Sequence, residues 1–157
     1  MKTFLKAAVV LALVVFVAIQ FINRPDRTNP SEDPSMTITS RLAVPEDVRA
    51  MLDRSCADCH SNRTRWPWYS AVAPVSWLVA ADVEEGREHL NFSAWGTYSR
   101  KRQASRMEMI ATVVDKDEMP MKSYLLLHPD AELSEADKDL LCSWAEDQSD
   151  SLMNSAE

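Results

Sequence analysis

The sequence Cys-Ala-Asp-Cys-His at residues 56–60 constrains this chain more than any other feature. Two thiols three positions apart on one helical turn can each add to a haem vinyl group, and the adjacent imidazole is then positioned to bind iron. The pattern predicts covalent attachment of one c-type haem (haem c), with Cys56 and Cys59 as thioether anchors and His60 as the proximal iron ligand. The fold must then bring these three residues to one apolar side.

Two other kinds of site also use a Cys-x-x-Cys pair. A structural zinc site needs four nitrogen or sulfur ligands, usually with a second close pair, and the remaining candidates Cys142, His89 and His128 are isolated from one another in the sequence. A thioredoxin-like dithiol expects a βαβ pattern around the motif, whereas the flanks here have a helical pattern. Haem attachment is the preferred interpretation, and a redox dithiol or partial metal site is the alternative.

Residues 1–27 predict an export segment that also serves as a membrane anchor. Lys2 and Lys6 precede an apolar run over residues 7–19, as in a signal peptide or signal anchor, and their charges favour a cytoplasmic N-terminus. A small-x-small cleavage site is not evident, so retention is favoured, although about 16 apolar residues is short against the roughly 20 of a spanning helix. We expect the domain on the periplasmic side of a bacterial inner membrane, or free in the periplasm if the segment is cleaved.

The rest of the chain is long enough for one domain and too short for two. We expect a tether rich in Pro, Ser, Thr and Asp at residues 28–44, a haem-binding domain at 45–148 and a tail at 149–157. The net charge is −7 at pH 7, and the exported part is more acidic than the whole because basic residues are concentrated in the anchor region. This charge disfavours a nucleic-acid partner and would steer a basic redox partner protein.

The hydrophobic pattern predicts an all-α fold. The chain has only two glycines, Gly86 and Gly96, which leaves little material for hairpin turns. Apolar residues at three- and four-residue spacing predict helices over about 45–59, 74–90 and 99–114. A last helix is predicted to begin at Ser134, because Ser134 and Asp137 have the spacing of a capping box, and to direct Leu140 inward with its neighbours.

Bulky aromatic residues follow the cysteine motif in the segment 65–69, Arg-Trp-Pro-Trp-Tyr. Such rings are costly to expose, so they should pack on something flat and apolar. A haem face or edge would suit Trp66, Trp68 and Tyr69, and the core of a small domain would suit them equally well.

From residue 45 to about 145 the chain resembles the haem-binding domain family, a small branch of the c-type cytochromes. The similarity lies in ordered strings of residues: Cys-x-x-Cys-His-Ser at 56–61, Trp-Pro-Trp-Tyr-Ser at 66–70, Ala-Pro-Val-Ser-Trp-Leu at 73–78, Glu-Gly-Arg at 85–87, Leu-Asn-Phe-Ser at 90–93, Met-Pro at 119–120, Leu-His-Pro at 127–129 and Trp-Ala at 144–145. The resemblance implies an exported, monohaem, cytochrome-c-like helical domain. It does not imply a particular physiological role.

The resemblance also suggests the sixth iron ligand. Met119-Pro120 is similar to the distal methionine segment of class I cytochromes c, and a thioether is a soft, neutral donor that raises the reduction potential. Met121, His128 and His89 are competitors, and an open iron position is a further alternative. The relatives are expected to have Met-Pro-Pro where this chain has Met-Pro-Met, so two methionines compete in one loop.

Outer contacts to the haem can be assigned in the same way. A ligating histidine donates its second ring N–H to a carbonyl or carboxylate. In class I cytochromes c a proline carbonyl accepts that bond, and Pro74 holds the similar position here. Trp77, with Arg63 and Arg65, is a candidate for contact with the haem propionates.

Three classes of function are compatible with a monohaem domain. An electron carrier needs a six-coordinate iron that changes oxidation state with little rearrangement, a sensor or gas-binding module needs an iron position that opens, and a peroxidase-like enzyme needs acid and base groups over an open site. The sequence alone brings no such catalytic groups over the iron. Electron transfer is therefore the preferred hypothesis, and an enzyme is not expected.

Overall fold

The computed structural model describes residues 1–154, and these residues form helices and loops without a β-strand. The α-helices are α1 (Lys2–Ile19), α2 (Ile38–Arg41), α3 (Glu46–Ser55), α4 (Ala57–His60), α5 (Val75–His89), α6 (Arg100–Asp115), α7 (Lys122–Leu125) and α8 (Glu135–Asn154). Short 3-10 turns lie at Pro34–Met36, Trp68–Ala71, Phe92–Thr97 and Pro129–Ala131. The predicted all-α class is confirmed, α5 and α6 begin and end close to their predicted limits, and the helix predicted over 45–59 is divided into α3 and α4.

Helix α1 is the apolar N-terminal helix that the sequence predicts. It has 18 residues and a mean hydropathy of 2.3, and none of it is buried against the domain. At a rise of 1.5 Å per residue it is about 27 Å long, close to the ~30 Å hydrocarbon thickness of a bilayer. By length and composition it is able to cross a membrane, and a signal sequence would have the same properties.

The core forms where α6 and α8 pack along each other and α3 closes one end. Its apolar side chains come from every major helix except α1 and α5: Val48, Met51, Leu52, Met107, Ile110, Ala111, Val114, Leu141, Trp144 and Ala145, with Leu90, Phe92, Trp95 and Leu133 from the connections. Ser134 and Asp137 cap α8 reciprocally, because each backbone N–H donates to the other side chain, as the capping-box pattern predicts. Leu140 is 43% exposed and not inward as predicted, because the buried stripe of α8 runs through Leu141.

Residues 28–44 are packed onto the domain and do not form the tether expected from their composition. Ile38 is 3% exposed and belongs to the core with Trp95. The Asn29 amide donates to the Thr64 carbonyl oxygen at 3.0 Å, and Glu32 pairs with Arg63 at 3.4 Å. Local turns and polar side chains satisfy the backbone of this segment, so a loop-like composition is compatible with a fixed structure.

The expected tail at 149–157 is helical as far as Asn154. Ser149 is buried, and its hydroxyl donates to the Ala104 carbonyl oxygen at 3.2 Å. Residues 155–157 of the predicted tail lie outside the described residues.

Because Ile38 is buried in the shared core, Ile38→Ala should lower the free energy of unfolding by about 2–4 kcal/mol. Leu126, which is 82% exposed, provides the matched control, and Leu126→Ala should change stability by less than about 0.5 kcal/mol. Reversible urea unfolding of the full-length protein in mild detergent, followed by far-ultraviolet circular dichroism, measures both values. Equal stability of the two variants would show that residues 28–44 are a tether after all.

Candidate functional site

The cysteine motif forms a single helical turn that is set off from the preceding helix. Helix α3 ends at Ser55, Cys56 has φ −127° and ψ −38°, and α4 then contains Cys59 and His60. The backbone N–H groups of Cys59 and His60 both donate to the Cys56 carbonyl oxygen, at 3.2 and 2.9 Å. The break at Cys56 was not predicted, because the apolar spacing of 48–59 is continuous through it.

An apolar cavity of about 370 Å³ opens beside this turn. Its volume lies within the range of small-molecule and cofactor sites. We call it the main cavity. Its walls come from four parts of the chain: Leu52, Ser55, Cys56, Cys59 and His60 from α3 and α4; Asp82, Glu85, Gly86, His89, Leu90 and Phe92 from α5 and the turn after it; Arg106, Met109, Ile110, Val113 and Val114 from α6; and Met119, Pro120, Met121 and Tyr124 from the loop into α7.

The imidazole of His60 is oriented by the end of α5. Its Nδ1 lies 2.9 Å from the Gly86 carbonyl oxygen and 3.0 Å from that of Leu90. Carbonyl oxygens only accept, so Nδ1 carries the proton and Nε2 has the free lone pair. Burial also lowers the pKa of His60, which favours the neutral imidazole that binds metals.

Gly86 allows α4 and α5 to approach each other closely. A Cβ atom at this position would lie 2.8 Å from the Cys59 carbonyl oxygen and 3.1 Å from the Cys59 Cβ. The close contact brings the Gly86 carbonyl within reach of His60. Residue 86 must therefore lack a side chain for His60 to keep this orientation.

The two motif cysteines are neutral thiols. Burial raises the pKa of Cys56 to about 12 and that of Cys59 to about 11. Reactive dithiols of the thioredoxin type have a lowered pKa, so the surroundings here differ from those of a redox pair. The third cysteine, Cys142, is half-buried beside the core, and its Sγ lies 3.5 Å from the Ala111 carbonyl oxygen.

The loop after α6 brings Met119 to the main cavity. The backbone N–H groups of Glu118 and Met119 donate to the Val113 carbonyl oxygen, at 2.9 and 3.1 Å. This folds the chain back over the end of α6, so Met119 and Met121 both line the main cavity. Met109 lines it from α6 and is a third thioether, which the sequence prediction did not consider.

The two candidate histidines differ in position. His128 does not line the main cavity: its Nδ1 donates to the Tyr124 carbonyl oxygen at 3.0 Å, and its Nε2 accepts from the Tyr69 hydroxyl at 3.3 Å. His89 lines the edge of the cavity, but it is 62% exposed and lies 3.7 Å from Glu85. His89 therefore lies at the rim of the cavity, on α5, the helix whose C-terminal end contacts the His60 imidazole.

Five residues predicted as haem contacts lie outside the main cavity. Pro74 caps the start of α5 and is not the acceptor of His60, because twelve residues separate it from Gly86, or about 18 Å of helix. Trp68 is 80% exposed, so it packs neither on the main cavity nor in the core. Trp66 donates from Nε1 to Asn29 at 3.2 Å. Tyr69 lines a second cavity with His128, and Trp77 is half-buried with no partner for its Nε1 among the described residues.

Arg106 is the cavity residue that sequence reasoning missed. Its Nε is buried and lacks a hydrogen-bond partner in the described part of the chain, while its Nη1 lies 3.6 Å from the Met109 sulfur. A signal existed, since Arg106 shares the face of α6 that carries Ile110 and Val113. A cation within an apolar stripe calls for an anionic partner.

The predicted propionate partners Arg63 and Arg65 are engaged elsewhere. Arg63 pairs with Glu32, and Arg65 pairs with Asp58 at 3.0 Å. Arg106 is thus the arginine that lines the main cavity, and a haem propionate would satisfy its buried Nε.

The donor set and the shape of the main cavity fit a haem. Two thiols and an imidazole with a free Nε2 lie on one wall, thioethers lie on others, the lining is largely apolar, and an unpaired guanidinium nitrogen could meet a carboxylate.

Comparison with known proteins agrees with a haem site. A family model described as "Haem-binding domain" matches residues 14–147. Among curated proteins and solved structures, no significant match to this sequence is found.

Gly86→Ala should disturb the site, because the new Cβ would meet the backbone of Cys59, which cannot move aside without moving α4. We expect a loss of about 1–3 kcal/mol in unfolding free energy and less haem per polypeptide after expression with the haem-attachment machinery. Gly96→Ala is the control, because its Cβ would mainly meet the flexible side chains of Met36 and Arg41. Pyridine haemochrome absorbance per mole of protein measures the haem content, and equal content in the two variants would contradict the close-contact argument.

Proposed function

The chain belongs to the haem-binding domain family, and from this premise we propose that it is a monohaem c-type cytochrome that carries electrons at the outer face of a membrane. The observation that carries the proposal is the grouping of Cys56, Cys59, His60 and Met119 around one apolar cavity. These residues supply two thioether anchors, a proximal imidazole and a distal thioether, which is the ligand set of a cytochrome c.

Each protein group has a defined task in this proposal. Cys56 and Cys59 would hold the cofactor covalently through thioethers. His60 offers Nε2 to the iron, while the carbonyls of Gly86 and Leu90 hold its ring in one orientation, and such outer contacts keep a ligand from rotating. Arg106 offers its buried Nε to a propionate.

The bound haem would supply a one-electron change at iron. The protein favours this change by keeping the surroundings constant. The cavity walls are largely apolar and come from four helices and a loop fixed to Val113, so the ligands are held in place. A methionine as sixth ligand would favour the ferrous state.

A sensor or a peroxidase-like enzyme with an open distal site is the alternative. Four charged or titratable groups besides His60 line the main cavity and bear on this alternative: Asp82, Glu85, His89 and Arg106. The first three lie on α5, the helix whose C-terminal end contacts the His60 imidazole, and Glu85 and His89 are mostly exposed. They are therefore better suited to the rim than to acid–base chemistry over the distal face.

The proposed location follows from α1. We infer retention of this helix as an anchor, which would hold the domain on the periplasmic side of a bacterial inner membrane. The acidic surface of the domain suits a basic redox partner protein, because opposite charges increase the rate of association. Nucleic acid is not a proposed partner.

Covalent attachment is tested by extraction of the full-length protein made with the haem-attachment machinery. With thioethers at Cys56 and Cys59, the haem should remain with the polypeptide through denaturing electrophoresis and acid–acetone extraction, and the reduced pyridine haemochrome should have the c-type band. Cys142→Ser is the control and should retain all of its haem, whereas Cys56→Ser with Cys59→Ser should lose it. Extractable haem in the unmodified protein would reject the c-type proposal.

The distal ligand is tested by three alanine variants. If Met119 binds iron, the ferric protein should have the weak long-wavelength band of sulfur-to-iron ligation, and Met119→Ala should abolish that band and speed carbon monoxide binding to the ferrous form. Met121→Ala and His128→Ala should retain the band. Rapid carbon monoxide binding or a high-spin ferric spectrum in the unmodified protein would favour the open-site alternative.

A further inference from the structure

An exposed apolar patch lies beside the point where α1 meets the domain. We call Trp68, Val75, Leu78 and Leu127 the docking patch; their exposed fractions are 80%, 40%, 65% and 61%. Val75, Leu78 and Leu127 line one cavity together with Tyr69, and the Trp68 ring contacts the Tyr69 ring edge-on. The four side chains are therefore neighbours in space, and an exposed apolar cluster of this kind marks a surface that binds something.

The end of α1 is hydrogen-bonded to the backbone beneath this patch. The Gln20 side-chain amide nitrogen Nε2 donates to the Ala73 carbonyl oxygen at 3.1 Å, and the Ala73 N–H donates back to the Gln20 side-chain oxygen Oε1 at 2.9 Å. Arg27 donates to the Ser70 hydroxyl at 3.4 Å. The segment between Trp68 and Val75 is thus held directly at the end of the anchor helix.

The length of α1 sets the depth of that contact. The helix is about 27 Å long, so when it crosses a hydrocarbon core of about 30 Å its last residues reach the headgroup boundary. Ala73 must then lie at the same depth, because Gln20 holds it there. Tryptophan is enriched at this boundary, where its ring is partly in apolar and partly in polar surroundings.

The basic residues near the patch agree with a lipid surface as its occupant. Arg24, which donates to the Gln20 carbonyl oxygen and lies over the Phe21 ring, and Arg27 lie at the same level. Cations at this level are attracted to anionic headgroups. The first acidic residue of α5 is Asp82, which lines the same cavity as Val75 and Leu78, and Asp58, which also lines it, is paired with Arg65.

We infer that the docking patch inserts into the headgroup boundary of the bilayer that α1 crosses. The domain then lies against the membrane in one orientation and does not move freely on a linker. This inference rests on the proposed retention of α1 as an anchor, and the test separates the two.

The experiment measures the labelling of single cysteines in the full-length, haem-loaded protein, in a Cys142→Ser background. The protein is reconstituted in nanodiscs of phosphatidylcholine with phosphatidylglycerol and treated with a charged, membrane-impermeant maleimide. Leu78→Cys reports the docking patch, Val10→Cys reports the anchor, and Leu140→Cys on α8 is the exposed control. Labelling after denaturation in detergent measures the total reactive thiol in each variant.

We expect Leu78→Cys and Val10→Cys to react at least about tenfold more slowly than Leu140→Cys, because an apolar surrounding disfavours the reactive thiolate. Adding Gln20→Ala, which removes both hydrogen bonds to Ala73, should speed the reaction of Leu78→Cys and leave that of Val10→Cys unchanged. A Leu78→Cys rate equal to that of Leu140→Cys, with Val10→Cys protected, would overturn docking but keep the anchor. Fast labelling of Val10→Cys as well would overturn both.

Discussion

The structure depends on the close contact between α4 and the C-terminal turn of α5. Gly86 leaves no room for a side chain against the Cys59 carbonyl, and this contact lets two carbonyls of the α5 end reach His60. The same approach positions α5 as a wall of the main cavity, which α6 and the Met119 loop complete. A single steric condition at residue 86 therefore connects the packing of two helices to the orientation of the histidine.

The two ends of helix α5 lie next to different parts of the molecule, the end of α1 and the main cavity. Its first turn follows Ala73, which is hydrogen-bonded to the end of α1, and its last turn holds His60 about 18 Å away. Apolar side chains are exposed at the first end, and acidic ones at the second. If α1 crosses a bilayer, α5 sets the distance between the lipid surface and the main cavity, and the acidic end is available to a soluble partner.

A polar cluster separates the aromatic segment from the main cavity. The Tyr124 hydroxyl donates to Asp58 at 2.9 Å, and Asp58 also pairs with Arg65. Burial, with the nearby Asp58 charge, raises the pKa of Tyr124 well above its usual value, so the phenol stays a donor. Tyr124 stacks on His128 and lines both cavities, whereas Tyr69 and His128 line the second cavity and not the main one.

Helical periodicity, capping residues and the Cys-x-x-Cys-His spacing are local properties, so the helical class, the positions of most helices and the haem motif can be predicted from the sequence. Which groups share the main cavity depends on tertiary packing. The carbonyl of Gly86, and not that of the predicted Pro74, accepts from His60. Arg106 lines the main cavity although it was not predicted to, and Trp68 is exposed although it was predicted to pack. Residues 28–44 also became part of the folded domain through Ile38. These outcomes depend on contacts between segments far apart in the chain, and neither composition nor spacing encodes how closely two helices approach.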